Sequence, residues 1–234
     1  MKRKVVVLTG AGMSAESGLS TFRDAGGLWE GHDVMQVASP EGWASDMDLV
    51  LEFYNQRRRQ LLSARPNEGH LALTRLEDKF DVAIVTQNVD DLHERAGSQQ
   101  VIHLHGELLK ARSTRYPELV YAWTKDLLRG DLCERGGQLR PHIVWFGEAV
   151  PMMDQAIEHI SEAVIVIVIG TSMQVYPAAG LIYYAPMDAK IYYIDPRPQI
   201  NTELALRLQL NVMRIKAGEG IPRLVDDLLQ HHIV

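Results

Sequence analysis

An uninterrupted apolar run, Val5 to Leu8, leads after one residue into Gly10-Ala-Gly-Met-Ser-Ala15. A short run of this kind, rich in β-branched residues, reads as a parallel strand buried on both faces. Glycines at 10 and 12 then allow a tight turn and a close backbone approach to a pyrophosphate. Ala15 lets a following helix sit close to the sheet, and that helix's free N–H groups face the anion. The pattern G-x-G-x-x-A points to a dinucleotide, although a plain strand-turn-helix built from the same small residues reads alike.

An ordinary dehydrogenase needs a second strand ending in an acidic residue roughly 20 positions further on. None follows here. Phe22-Arg-Asp-Ala-Gly-Gly-Leu-Trp-Glu-Gly31 comes instead, a polar, glycine-containing stretch with two aromatics. It suits a loop that folds over a bound cofactor, or equally a surface loop with two aromatic anchors.

The chain has 234 residues, 46% hydrophobic and 23% charged, enough for one large core or a core plus a small module. A formal net charge of −6 argues against a general nucleic-acid binder. Met1-Lys-Arg-Lys4 before Val5–Leu8 resembles the start of a signal peptide, but the run falls short of an apolar region of about 7 to 15 residues. The run Ala163 to Ile169 is far below the roughly 20 residues that span a bilayer. A cytoplasmic protein without membrane association is therefore expected. Cys133 is the only cysteine, which precludes an intramolecular disulfide and a multi-cysteine zinc site within the chain.

Short apolar runs at Val5–Leu8, Val82–Val85, Val101–Leu104, Ile143–Phe146, Val164–Ile169, Ile191–Ile194 and Val212–Ile215 alternate with helical patterns at Pro66–Lys79, Met152–Ile160 and Gly220–Gln230. This alternation predicts an α/β fold, a doubly wound, Rossmann-like parallel sheet. Two segments interrupt it. One contains a helical stretch, Asp46 to Ser63, with Leu49, Phe53, Leu61 and Leu62 as its apolar positions. The other, 107–139, is polar and irregular. We expect one domain, 1–234, whose large part spans about 1–31, 65–106 and 140–234. The small inserted module takes about 32–64 and 107–139, with the binding cleft between the two.

Thr86-Gln-Asn-Val-Asp-Asp-Leu-His93 follows one predicted strand, so its polar groups project from the carboxyl end, where open α/β sheets bind ligands. Asn88 and Asp90 can grip a carboxamide such as nicotinamide, or can instead cap the helix that follows. His103-Leu-His105-Gly106 ends the next strand with both imidazoles on one face. Either ring is a candidate general base, and Gly106 allows the sharp turn that would present His105 to a cleft.

Together these residues resemble the sirtuin family of NAD-dependent protein-lysine deacylases. The resemblance runs through GAGMSAESGLSTFR at 10–23, TQNVDDLH at 86–93, HG at 105–106, RPHIVWFGE at 140–148, GTS at 170–172 and the downstream Pro177. It implies NAD as cofactor and acylated-lysine peptides or proteins as partners. Gly10, Ala11 and Gly12 would form the pyrophosphate turn, with Ala15 beside them at the cofactor and Phe22 and Arg23 in the cofactor loop. Gln87, Asn88 and Asp90 would hold the nicotinamide ribose and carboxamide. Gly170, Thr171 and Ser172 would lie under the adenosine. His105 would be the base that helps a ribose hydroxyl attack after the acyl oxygen has displaced nicotinamide, giving free lysine, nicotinamide and O-acyl-ADP-ribose. Val144, Trp145, Phe146, Gly147 and Glu148 would line the acyl-lysine tunnel and offer a strand edge to the substrate backbone.

Tyr54 and Arg57 are three apart and share a helix face, a good receptor for a carboxylate. Arg57-Arg-Arg59 alone also reads as a solvated basic turn. The Tyr-x-x-Arg pair resembles the desuccinylase-like and demalonylase-like class, and Ala38 matches the small residue that widens the acyl pocket there. The resemblance thus implies removal of succinyl or malonyl groups. General deacetylation, ADP-ribosyl transfer and a non-catalytic NAD or ADP-ribose sensor are the alternatives. Two departures stand out. Relatives carry two cysteine pairs between the positions of Gly106 and Arg140, where this chain has only Cys133, so no structural zinc is expected. Asp195 also stands where many relatives have Asn, although a carboxylate can still accept from the adenosine ribose hydroxyls.

Overall fold

A computed structural model describes residues 2–20, 28–29 and 31–230. In chain order the strands are β1 (Arg3–Thr9), β2 (Leu28–Trp29), β3 (His32–Asp33), β4 (Phe80–Thr86), β5 (Val101–His103), β6 (Gly106–Ser113), β7 (Val120–Ala122), β8 (Leu139–Ile143), β9 (Ile165–Ile169), β10 (Lys190–Ile194) and β11 (Leu210–Met213). The helices are α1 (Val34–Val37), α2 (Pro40–Ser45), α3 (Met47–Ser63), α4 (Glu68–Thr74), α5 (Leu92–Ala96), α6 (Met153–Ser161), α7 (Thr202–Ala205) and α8 (Ala217–Gln230).

Six strands form one sheet in the order β11-β10-β9-β1-β4-β5, every pair parallel. The central strands are apolar without alternation because both faces are covered. Val6, Leu8, Val166 and Val168 pack on the side of α6 and the 3₁₀ segment Ala178–Tyr184. Val5, Val7, Ile165 and Ile167 pack on the side of α4 and α8. The apolar stripe of α8, through Ile221, Leu224, Val225 and Leu228, is fully used in that second layer. Asn67 starts α4 with a capping box: its side chain accepts from Gly69 and His70 N–H while His70 Nδ1 accepts from the Asn67 N–H.

The chain runs outward from β1 through β4 to β5, then returns to the other side of β1 with β9, β10 and β11. The strand order therefore reverses between β1 and β9, and ligands of such sheets bind at the carboxyl ends beside that reversal.

Six of the seven apolar runs are strands of the parallel sheet. The seventh is a correction, because β8 ends at Ile143 and residues 144–148 are not a strand. β8 belongs to a separate antiparallel sheet, β7-β6-β8. Segment 107–139, expected to be irregular, supplies most of that sheet. Leu51 of α3 joins Ala111, Leu127, Cys133 and Leu139 in its core. Arg58, 1% exposed, ties α3 to this sheet: Nε donates to Leu108 O at 3.1 Å and Nη1 to Asn55 Oδ1 at 2.7 Å. Arg57–Arg59 is thus the last part of a helix and not a turn. Of the apolar positions expected on that helix, Phe53 and Leu61 are buried, whereas Leu62 is 46% exposed.

No described helix is long and apolar enough to cross a membrane. Nor do the residues fit a structural zinc. Cys133 Sγ accepts from Gly137 N–H at 3.2 Å and lies 3.4 Å from Ser113 Oγ, and no metal-binding group of three His, Cys, Asp or Glu occurs among the described residues. Dialysis against a strong chelator is accordingly expected to leave the thermal midpoint unchanged by circular dichroism. A fall in the midpoint with release of one equivalent of zinc would show instead that metal holds the module.

Candidate active site

At the β1/β9 reversal the two strand ends lock together: Gly10 N–H donates to Ile169 O at 3.0 Å and Gly12 N–H to Gly170 O at 2.8 Å. A Cβ on Gly12 would lie 2.7 Å from Gly170 Cα, and Gly170 itself has φ +57°. Glycine is required at both places by the close approach and by the left-handed backbone. The expected phosphate-binding helix is not there. Residues 11–13 and 15–17 form two 3₁₀ turns that stop at Gly18, φ +86°. Ala15 is exposed at the cavity and does not pack against the sheet, because no long helix follows to need it there.

A cavity of about 610 Å³ opens at these turns, a size suited to a dinucleotide portion or a long side chain. Gly10, Ala11, Gly12 and Ala15 after β1, Gly170, Thr171 and Ser172 after β9, and Asp195 after β10 line one end. Asp195 accepts from Arg197 N–H at 2.7 Å. Phe22 and Arg23 lie outside the described residues.

Gln87, Asn88, Asp90 and His105 line the middle. Gln87 Nε2 donates to Thr171 Oγ1 at 2.9 Å, joining the end of β4 to the end of β9. Asn88 Nδ2 donates to Ser14 Oγ at 3.1 Å, and Ser14 Oγ donates to Asp90 Oδ2 at 2.9 Å. Burial pushes the Asp90 carboxyl upward, against the bonds from Ser14 and the Leu92 N–H. Asp90 does accept from Leu92 N–H, at 3.2 Å, so it caps α5 and faces the cavity at once. Ser14, 2% exposed, is a site residue that sequence reasoning missed. Its hydroxyl, on the same turn as Gly12, was the available signal.

The two histidines separate. His103 bonds through Nδ1 to Asn88 O at 3.2 Å and through Nε2 to Glu94 at 2.6 Å. Burial acts against its charge, but the Glu94 carboxylate prevails and raises its pKa. His105 lines the cavity, and its Nδ1–H donates to Gln87 O at 3.1 Å. Nε2 is left as the lone-pair nitrogen, and burial lowers the pKa despite the Gln87 bond, which keeps the ring neutral.

At the far end lie Ala38, Tyr54 and Arg57, with Val144, Trp145, Phe146, Gly147 and Glu148 beside them. Residues 144–148 are not a strand, and one side of the segment is tied to the protein: Val144 N–H donates to His105 O and Phe146 N–H to Ala38 O, both at 2.9 Å. Glu148 accepts from Arg140 at 2.6 Å, Arg112 at 3.1 Å and Trp145 N–H at 2.8 Å. Burial works against its charge, but these partners hold the carboxyl below its ordinary value. The Arg140 guanidinium stacks on the Trp145 indole, whose Nε1–H donates to Tyr54 Oη at 3.1 Å.

A cavity at the reversal of a doubly wound sheet, with a glycine-locked turn at one end and a neutral imidazole at mid-length, defines a nucleotide-dependent enzyme of the Rossmann-like type. The model of the Sir2 family matches residues 10–177, so the chain belongs to the Sir2 family. It is 56% identical over 226 residues to an NAD-dependent protein deacylase of Helicobacter pylori, covering 96% of this chain and 98% of the relative. Its identity to one from Bacteroides thetaiotaomicron is 52% over 234 residues, covering 97% and 98%. The fold superposes on a Sir2 homologue in complex with NAD at TM-score 0.87 and 37% identity, covering 98% of this chain and 90% of the other. A Sir2 structure with a deacetylated p53 peptide and 3'-O-acetyl ADP-ribose gives TM-score 0.82 at 29% identity, covering 97% and 94%.

Proposed function

We propose that the acyl group this NAD-dependent protein deacylase removes best is a short acidic one, succinyl or malonyl. The observation that carries the reading is the cavity end formed by Ala38, Tyr54 and Arg57. Trp145 donates to Tyr54 Oη, and burial raises the phenol's pKa so that its proton stays. Tyr54 is fully buried, and Arg57 is half-buried with its Nε and Nη1 atoms inside. Ala38, the smallest side chain of the three, leaves room for a longer acyl chain.

NAD, when bound, supplies the ribosyl carbon that takes up the acyl oxygen as nicotinamide departs. The chain's part is positioning and proton transfer. The glycine-locked turn would carry the pyrophosphate, Asn88 and Asp90 would orient the carboxamide, and His105 Nε2 would take a ribose hydroxyl proton.

One net charge-assisted bond is worth roughly 1.5 to 3 kcal/mol, a preference of about 10-fold to 150-fold for succinyl over acetyl. Arg57→Met is expected to cut kcat/KM on a succinyl-lysine peptide by at least about 10-fold, with acetyl-lysine turnover unchanged or improved. Equal losses on both peptides would mean that Arg57 supports the fold or the cofactor, and general deacylation would replace the acidic-acyl reading.

A further inference from the structure

Behind the nicotinamide end of the cavity two imidazoles are buried against each other, His70 and His93, 0% and 1% exposed, with ring centroids 4.8 Å apart. Neither lines the cavity. Their tautomers follow from their partners. His70 Nδ1 accepts from Asn67 N–H at 3.3 Å, so the neutral ring carries its proton on Nε2. Thr9 Oγ1 donates to Thr86 Oγ1 at 2.8 Å and lies 3.2 Å from His93 Nε2, so the His93 proton is on Nε2 and Nδ1 holds a lone pair. His70 Nε2 and His93 Nδ1 make no hydrogen bond among the described residues, so the two rings meet by packing and not through a bond.

From this pair two lines of hydrogen bonds reach the site. One runs from His93 through Thr9 to Thr86, whose Oγ1 accepts from Asn88 N–H at 3.0 Å. The other runs from His70 to Asn67, whose Nδ2 donates to Met13 O at 2.9 Å, on the turn that follows Gly12. With Nε2–H of His93 supplying Thr9, the single Thr9 proton goes to Thr86 Oγ1, and that oxygen, so oriented, also accepts the Asn88 N–H.

We propose that His93 is a positioning residue for Asn88, acting through Thr9 and Thr86, with His70 packed against its ring. It touches neither cofactor nor substrate. This rests on Asn88 being the carboxamide partner of NAD. The pair accounts for two buried imidazoles that no step of the reaction uses.

The test compares Thr9→Val, Thr86→Val, His93→Phe and His93→Gln, with Asn88→Ala as reference. The valine variants keep the β-branched shape of their strands, and glutamine restores a donor near the His93 Nε2 position. One lost hydrogen bond predicts a rise of about 10-fold in the NAD dissociation constant by calorimetry and in the nicotinamide inhibition constant for Thr86→Val and His93→Phe. KM for the acyl peptide should stay within about twofold, and His93→Gln should recover most of the affinity. Folded Thr9→Val and Thr86→Val proteins with unchanged NAD and nicotinamide affinity would overturn the proposal, as would a His93→Gln that is as impaired as His93→Phe. If Asn88→Ala itself leaves both constants unchanged, the carboxamide assignment falls, and the proposal with it.

Discussion

His105→Ala is expected to lower deacylation by about 10²-fold to 10⁴-fold, the range for removing a positioned general base, while NAD binding by calorimetry changes little. Nδ1–H is held by Gln87 O, which leaves Nε2 as the basic nitrogen of a ring that lines the cavity. The turn proposed to carry the pyrophosphate lies elsewhere, after β1. Because burial keeps the imidazole pKa below its ordinary value, the acid limb of kcat/KM should lie below pH 6.5, with no loss between pH 7 and 8. Near-normal turnover by the alanine variant would remove His105 from the reaction. A parallel loss of NAD affinity would make it a binding residue.

The second large effect is on stability in mild acid. Burial lowers the His70 pKa from 6.5 to about 4 and holds His93 well below 6.5. Below pH 6.5 the unfolded chain takes up protons that these rings refuse, so stability that is complete above pH 6.5 is lost as the pH falls towards the folded values. At pH 5 His70 alone costs about 2 kcal/mol, and His93 adds in the same direction. His105 and His142, also lowered by burial, act in the same sense. His103 does not oppose them in this window. Its raised value makes its contribution fully present below pH 6.5 and lost only as the pH rises through the folded value. For a chain of this size a loss of 2 kcal/mol lowers the thermal midpoint by roughly 4 to 8 °C. Coincident denaturation curves at pH 7 and pH 5 would show that the pair is not held neutral.

The parallel sheet was readable in the sequence because its strands are buried on both faces: Val5–Leu8 and Val164–Ile169 admit no polar residue. The same logic failed at Ile143–Phe146, where a short apolar run fits a strand, a turn lining a cavity or a helix fragment equally well. Segment 107–139 read as irregular because β7 is only three residues long, β6 mixes half-buried charged positions such as Lys110 and Arg112 with buried ones, and all but the first residue of their partner β8 lies outside the segment. The helix expected after Gly12 fails for a tertiary reason, since the 3₁₀ turns are set by the contact with Gly170 far along the chain. Individual cavity residues such as Asn88 and His105 were recognisable from the strand ends that present them. Ser14 and Arg58 were not, since each gains its role only from partners on other elements, Asp90 and Asn88 for the first, Leu108 for the second.

The placement of β9 beside β1 also sets the order of events during synthesis. β1 precedes both of its sheet neighbours in the chain, and the one that completes its burial begins only at Ile165. At about 5 to 20 residues per second the ribosome needs roughly 10 to 30 s to deliver it. Through that interval Val5–Leu8 has one open edge and only β4 for company. The second side of the glycine-locked turn does not exist until Gly170 has emerged. A fragment that stops short of Gly170 lacks that side of the cavity, and until then the nascent chain presents a strongly apolar strand with one open edge that a holding chaperone would be expected to shield.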